Sequence, residues 1–455
     1  MERPSPKNDK LRIVFAAAPA AAQVIPPFAQ EQDRAVDFFS GLLRGFSGVI
    51  RFTPLPTTTT DKHIHHRYRV KFSCTQENLN QGLAIVSHIA NKSINLPILG
   101  NVLIKSEDKV LRFMATNLEI AINCAVRGKV EESGEFTVPS RLFSDYVSLL
   151  PKDRVDVAQT DNSVVVSCGS YQTKLNGIPA SEFPLIPSID KKHRFAVKVS
   201  EFRKAVGQVL FAVAPNESRP EISGVMFKFV PASGGPNLVL AATDSYRLAE
   251  RVLSGVVEQG SQAIQEPVTL IVPARTVAEI VRILGVFRDA LDAQENIEIG
   301  IGESQVAFTY DNVEVISRTI EGKYPDYRQL IPDHFQTEIV ISKDELQRAV
   351  KATSLFSRTG LNDIHFSFKP ERTVHLGATN SQTGEHAVDL VGSVQGKENE
   401  VTVNFKYFLD GVNNVESESV AVQLVDGTSP CLIRPSRDNK VVTDDYLYIV
   451  MPIRQ

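Results

Sequence analysis

The sequence predicts an α+β protein of three tandem domains, each built of two similar strand-helix-strand halves, and three observations predict it. A short apolar strand that delivers Thr-Asn or Thr-Asp to a turn occurs at "MATNLEIAI" (114–122), "AATDSYRLA" (241–249) and "GATNSQTGE" (377–385). A strand and an amphipathic helix precede each of these turns, and a second strand-helix unit follows each. The turn threonines Thr116, Thr243 and Thr379 lie 127 and 136 residues apart. Self-similarity at such a spacing fixes the domain count before any other reading, and 455 residues agree with a prior of about 150 residues per domain.

Residues 1–69 stand outside the repeat. They contain "AAAPAAAQVIPPFA" and "TPLPTTTTDK" and show no sustained helical or strand periodicity. Lys10 and Arg12 ahead of the Ala-rich run have the outline of a secretion signal, but Pro19, Pro26 and Pro27 interrupt it and a long polar tract follows. His63, His65 and His66 lie in the same low-complexity tract and are read as composition, not as a metal site.

The first domain, 70–190, opens with "VKFSCTQENLNQGLAIVSHIA", the second, 191–335, with "FAVKVSEFRKAVGQVLFAVA", and the third, 336–455, with "EIVISKDELQRAVKATSLFS". In the last of these, Leu346, Val350, Thr353 and the pair Leu355/Phe356 recur at three- to four-residue spacing and mark one apolar helix face. Ser200 and Ser342 stand where N-caps are expected. The second units are "FTVPSRLFSDYVSLLP", "LIVPARTVAEIVRILG" and "VTVNFKYFLDGVNNV", with Pro139 and Pro273 at helix starts, where a missing N–H is harmless. Alternating stretches such as "SVVVSCGSYQTKL" and "QVAFTYDNVEVISRTI" supply the remaining strands. Helices are expected at 75–92, 140–152, 200–219, 274–288, 342–358 and 404–414. The Pro-rich exits "IPASEFPLIP" (178–187) and "IEGKYPDYRQLIP" (320–332) set the boundaries near 190 and 335.

Composition excludes several classes. No apolar run reaches the length of a membrane span. Cys74, Cys124, Cys168 and Cys431 are far apart and form no CxxC pair, which excludes a structural zinc site or disulfide framework and fits a reducing, cytoplasmic compartment. GxxxxGK[ST], HExxH, GxSxG and GxGxxG are all absent. Asp311, Asp326, Asp444 and Asp445 lie in stretches rich in turn residues, where aspartate serves local hydrogen bonding. Neither a catalytic residue, nor a metal ligand, nor a cofactor is predicted.

Charge is segregated. Residues 70–455 hold 39 basic and 47 acidic side chains, so the body has no general attraction to nucleic acid. The six helical stretches nonetheless hold fourteen basic against eight acidic residues. Two readings are open to the residues themselves: solvated helix faces, or helices gathered on one side as a positive surface for phosphates.

"LPILGNVLI" (96–104), "TDSYRL" (243–248), "YPDYRQLIP" (324–332) and the terminal "VMPIRQ" (450–455), in this order within three repeats, resemble the bacterial DNA polymerase III β subunit, the sliding clamp family. The resemblance covers Val70 to Gln455. It implies a head-to-tail homodimer of three-domain protomers that closes into a ring of six domains, helices lining the hole and sheets outside. It further implies a non-catalytic processivity factor that encircles duplex DNA without reading its sequence. The implied partners are the DNA polymerase III catalytic subunit, the clamp loader, and other polymerases and mismatch-repair or ligase-type clients, with no membrane.

Carried over residue by residue, Arg141 and Arg275 match DNA-facing positions, and Lys92, Arg203, Arg282 and Lys351 join them; Ser93 stands where the family usually has an arginine. Thr173 and Leu175 in the first domain, with Leu355 and Phe356 in the third, match the two sides of the dimer interface. A groove between the second and third domains is implied to take a short peptide with bulky apolar side chains. Its matching positions are Ile222, Thr243, Ser245, Tyr246, Arg247 and Leu248 on one side. Pro325, Leu330, Met451, Pro452, Ile453 and Arg454 complete it, and methionine with branched aliphatics makes such a surface adaptable. Tyr246 replaces a common histidine, Gln329 an arginine, and Ile453 and Gln455 a Met/Leu pair, changes that imply an altered peptide preference on a retained groove. The family starts at a Met-Lys-Phe strand, and Val70 holds that methionine's place in "RVKFSC"; residues 1–69 are therefore expected to be upstream sequence or a dispensable extension.

Two functions of other classes compete: a secreted hydrolase that uses the prefix as a signal and a Ser/His/Asp set assembled by folding, and a repeat scaffold that never touches DNA.

Overall fold

The computed structural model describes residues 70–455 except 91–94, 108, 187, 216–217, 261–262, 289–293, 370–372, 444–445 and 455. The prefix and its histidines, Lys92, Ser93, Asp444, Asp445 and Gln455 lie outside the described residues.

Six α-helices form among the described residues: α1 (Gln76–Val86), α2 (Ser140–Ser148), α3 (Val199–Val209), α4 (Ala274–Val286), α5 (Lys343–Ser354) and α6 (Phe405–Asn413). Thr75 caps α1 by accepting from the Asn78 N–H, and Asn404 caps α6 by accepting from Lys406 and Tyr407. Pro139 and Pro273 occupy the cap positions of α2 and α4. The expected cap at Ser200 is corrected: α3 begins at Val199 behind Lys198, so Ser200 sits in the first turn. Ser342 holds the cap position of α5, but its side chain accepts nothing there.

Most of the helices end earlier than their periodicity suggested. The apolar spacing runs on because the chain beyond them still packs inward, with Ile89, Ala212 and Phe287 buried. Each helix buries one stripe, for example Leu79 and Leu83 on α1, Phe202 and Val206 on α3, and Phe408 and Val412 on α6. Each such side chain contributes about 1.5–3 kcal/mol on burial. Gly411 is required on α6: a Cβ there would lie 2.1 Å from Tyr448 Cδ1, so only glycine lets the helix rest on that fully buried ring.

The strands of the described residues form four antiparallel sheets of five, nine, ten and four strands. The nine-stranded sheet runs from the first domain into the second, where Ile120–Val126 pairs with Val313–Arg318 in the register Ile120↔Ser317 to Cys124↔Val313. The ten-stranded sheet crosses from the second domain to the third in the same manner, Arg247↔Val450 to Arg251↔Tyr446. Both boundaries inside the chain are thus continuous sheet. The remaining two sheets end on Tyr171–Asn176 and Gly384–Val391, edge strands with no outer neighbour among the described residues.

Candidate functional site

The repeated turn is one construction used twice. In the second domain Thr243 Oγ1 donates to the Arg247 carbonyl (2.7 Å) and accepts from the Ser245 N–H, while Asp244 Oδ1 accepts from the Tyr246 and Arg247 N–H groups. In the first domain Thr116 and Asn117 make the same bonds to Leu118, Glu119 and Ile120. Both turns force a non-glycine residue to positive φ, Leu118 at 77° and Ser245 at 79°, a conformation that persists only where its surroundings hold it. The third copy is one residue longer: Thr379 pairs with Glu385, and Gly384 takes the positive φ.

Arg247 turns inward from its corner. Its Nε donates to Asp244 (2.9 Å), its Nη2 to the Phe211 carbonyl (2.8 Å) and its Nη1 to Asp410 of the third domain. The guanidinium lies 4.7 Å from the Tyr407 ring centre and 5.5 Å from that of Phe211, and the side chain is only 13% exposed. Arg247 is thus held by groups of both domains, with little of its side chain open to solvent. Tyr246 is the exposed member, stacked on Tyr407 at 6.4 Å and 21°. The chain end passes between the domains: the Met451 N–H donates to the Tyr246 carbonyl (2.9 Å), Pro452 bridges Val403, and the Ile453 N–H donates to the Thr402 carbonyl (2.8 Å).

Leu248 and Met451 meet in one apolar cluster with Tyr324 and Tyr327 of the 320–332 linker. Ile222 is buried at the end of the turn Pro220–Ile222, beside Arg219, whose Nη1 donates to Ser245 Oγ (2.9 Å). Pro325 is half-buried, Leu330 is exposed, and Arg454 projects into solvent past the strand. Tyr407, Asp410, Phe211 and Arg219 are parts of this site that the sequence reading missed. They sit far from the corner in sequence, and no local pattern marks them.

Of the basic candidates, Arg141, Arg275 and Lys351 are exposed and Arg203 is half-buried. Arg141 and Arg275 occupy the same place, two residues past the cap, in α2 and α4, and Lys406 occupies it in α6. Lys406 was legible from the repeat alone. Arg348 on α5 is exposed as well. Arg282 has another use: it donates to Glu279 and to the Ala84 and Ile85 carbonyls at the C-terminal end of α1, where a cation is favoured. Glu279, nearly buried, also holds His88 at 2.6 Å. Arg282 and Glu279 therefore tie the second domain to the first.

At the free edges, Thr173 is half-buried, and Leu175 is buried in the core. Leu355 is 73% exposed, and Phe356 stacks on His386 at 5.5 Å. The helix stripe Thr276, Glu279, Ile283 of α4 is buried at 0%, 4% and 2%. Its counterpart in and just after α2, Leu142, Asp145, Leu149, is exposed: 55% and 80% for the leucines. Among the described residues no group of three or more His, Cys, Asp or Glu is placed to hold a metal ion, and no helix is long and apolar enough to cross a membrane.

Comparison with known proteins gives a consistent result. The family model for the DNA polymerase III beta subunit, N-terminal domain, matches residues 70–187, that for its central domain 196–326, and that for its C-terminal domain 328–454. The "Beta sliding clamp" of Bacillus subtilis is 27% identical over 396 residues, 85% of this chain and 100% of that one. The "Beta sliding clamp" of Synechococcus elongatus is 29% identical over 394 residues, 85% and 99%. Among solved structures, the DNA polymerase sliding clamp from Bacillus subtilis superposes with a TM-score of 0.76 at 26% identity, covering 85% of this chain and 100% of that chain. The DNA polymerase III beta subunit from Thermotoga maritima does so at 0.74 and 26%, with the same coverage.

Proposed function

Because the chain belongs to the DNA polymerase III beta subunit family, the non-catalytic sliding clamps that serve the bacterial replicative polymerase, we propose that two copies close head to tail around duplex DNA. The observation that carries this reading is the sheet continuity at the two boundaries inside the chain. The free edge Tyr171–Asn176 is the counterpart of the junction strands Val313–Arg318 and Tyr446–Val450, and the free edge Gly384–Val391 is the counterpart of Ile120–Val126 and Arg247–Leu253. Carrying the register over sets Tyr171 opposite Val388 of the partner subunit, Thr173 opposite His386 of the partner subunit and Lys174 opposite Glu385 of the partner subunit. The bare stripe Leu142, Asp145, Leu149 then gains the cover that its α4 counterpart already has, with Leu355 of the partner subunit close by. Such a head-to-tail contact, repeated once, closes a ring.

Inside the ring, Arg141, Arg275, Lys406, Arg348, Lys351 and Arg203 face the phosphates. Contacts of this kind carry no sequence information and exchange easily, which suits sliding. The groove between Tyr246, Leu248 and Met451 takes an apolar peptide of the polymerase catalytic subunit, the clamp loader and further replication and repair clients. The work is cytoplasmic, and the domains divide near residues 190 and 335.

Retention on DNA tests the ring. The protein loaded on nicked circular DNA is expected to stay bound through gel filtration in about 0.5 M salt, where phosphate contacts alone are weak, and to be lost once the circle is linearised. Equal retention on both forms would refute topological binding.

A further inference from the structure

The second helix of each domain carries an acidic residue at one position, and only two of the three are met by a cation across a domain boundary. The position lies six residues past the helix cap: Asp145 in α2, Glu279 in α4 and Asp410 in α6. Glu279 is met by His88 of the first domain, and Asp410 by Arg247 of the second. Among the described residues Asp145 has only Arg141 of its own helix, at 4.0 Å, and its side chain is 72% exposed.

The strand pairings place a group opposite the third position. At the boundary between the second and third domains, Gly411 rests on the Tyr448 ring, and Tyr448 is paired with Ala249. Asp410, one residue earlier on α6, reaches Arg247, two residues along the strand from Ala249. Carried to the seam between subunits, Tyr146 stands for Gly411, Asp145 for Asp410 and Thr173 for Tyr448. The residue opposite Thr173 is His386 of the partner subunit, so an imidazole takes the place of the Ala249 methyl beside the carboxylate.

His386 is held for such a contact by its own subunit. The half-buried ring stacks on Phe356 at 5.5 Å and 16°, and Nδ1 lies 3.2 Å from Thr353 Oγ1. The Thr353 hydroxyl donates to the Ala349 carbonyl (2.9 Å), so its oxygen accepts from His386 and Nδ1 carries the proton. In the neutral ring Nε2 then presents a lone pair, which a carboxylate repels. Only the imidazolium donates from both nitrogens.

We propose that Asp145 pairs with His386 of the partner subunit at each seam and that closure takes up one proton there, an inference that rests on the head-to-tail ring. The other groups that face the imidazole keep their charge between pH 6.5 and 8.5. α5 brings Lys351 and its exit Arg358, which is tied to Asp363, while the strand Thr373–Asn380 brings Ala378. On the opposite side of the seam, Tyr171–Asn176 brings Thr173, and α2 brings Arg141 and Tyr146.

Sedimentation equilibrium of the full chain at pH 6.5 and 8.5 tests the pairing. Because the pair needs the imidazolium, the dimer weakens as the proton is lost. The dissociation constant is expected to be about tenfold higher at pH 8.5, the worth of a partly exposed ion pair made at two seams. Asp145→Asn is expected to remove most of that dependence. His375→Gln is expected to leave it, since His375 is bonded to Asp389 (2.7 Å) on the other face of the same strands. A dimer equally tight at both pH values overturns the pairing and leaves the ring standing, as does an undiminished pH dependence in Asp145→Asn. A chain that stays monomeric at both pH values up to about 0.1 mM overturns the ring and the pairing together.

Discussion

Arg247 of the second domain and Asp410 of the third are joined across the domain boundary, with the guanidinium caught between the rings of Phe211 and Tyr407. Asp410 stands six residues past the cap of α6, and Glu279, which holds Arg282 and His88 at the other boundary, stands at the same place in α4. One helix position thus carries the acidic anchor of both boundaries.

Arg247→Ala removes bonds to two carboxylates and a carbonyl. Hydrogen bonds to charged groups contribute about 1.5–3 kcal/mol each, toward the low end here because Asp410 is partly exposed. A loss of about 3–5 kcal/mol is expected from the three bonds together, read as a fall of several degrees in Tm, and adding Asp410→Ala should cost less than the sum of the two single losses. Strictly additive losses would show that the pair is not coupled.

In the proposed head-to-tail register Lys174→Glu would set a like charge against Glu385 of the partner subunit, and it is expected to raise the dimer dissociation constant about tenfold. Lys174→Glu with Glu385→Lys should return it to near the parent value. Analytical ultracentrifugation reads both, and a dimer indifferent to the single change would show that the carried-over register is wrong.

Alanine at Arg141, Arg275 and Lys406 together is expected to leave the dimer intact and to flatten the salt dependence of DNA association by about one unit of log-log slope per residue. An unchanged slope would move the phosphate contacts elsewhere.

Met451→Ala and Tyr246→Ala are expected to weaken a clamp-binding peptide of apolar character about tenfold each, with little change in Tm for Tyr246, which is 63% exposed. Fluorescence anisotropy reads the affinity. Loss of binding in Arg247→Ala without the expected fall in Tm would place the arginine in contact with the peptide.

Burial pushes the Cys74, Cys124 and Cys431 thiols up to about 12. Since the thiolate is the nucleophile, thiols held this far up react little near neutral pH. Native protein should leave these three unmodified by iodoacetamide over an hour, and denaturant should expose all three. Mass spectrometry of the alkylated peptides checks it.

The repeat was legible because its signals are local: Thr-Asn and Thr-Asp bond their own turn, and Pro139 and Pro273 mark helix starts. Helix ends were not, since Ile89, Ala212 and Phe287 keep the apolar rhythm after the hydrogen-bonded turns have stopped. The charged residues were harder. Arg141 and Arg282 look alike as basic residues on a helix, yet one is 91% exposed and the other spends its donors on carbonyls nearly two hundred residues away in sequence. Arg247 belongs with the second kind for the same reason, as its partners lie at 211, 244 and 410. Sequence announces a charge and leaves its partner to the fold.

Two of the three sheet junctions in each protomer are spanned by a short linker, 178–187 and 320–332, and the third is spanned by nothing covalent. A broken junction of the first kind re-forms against a strand held at millimolar effective concentration, whatever the amount of protein in the cell. In the proposed ring the junction between Tyr171–Asn176 and Gly384–Val391 occurs twice, so one copy re-forms within the assembly while the other holds, and only a ring opened at both waits for a second molecule. Dilution therefore acts on whole rings and leaves a single open seam untouched.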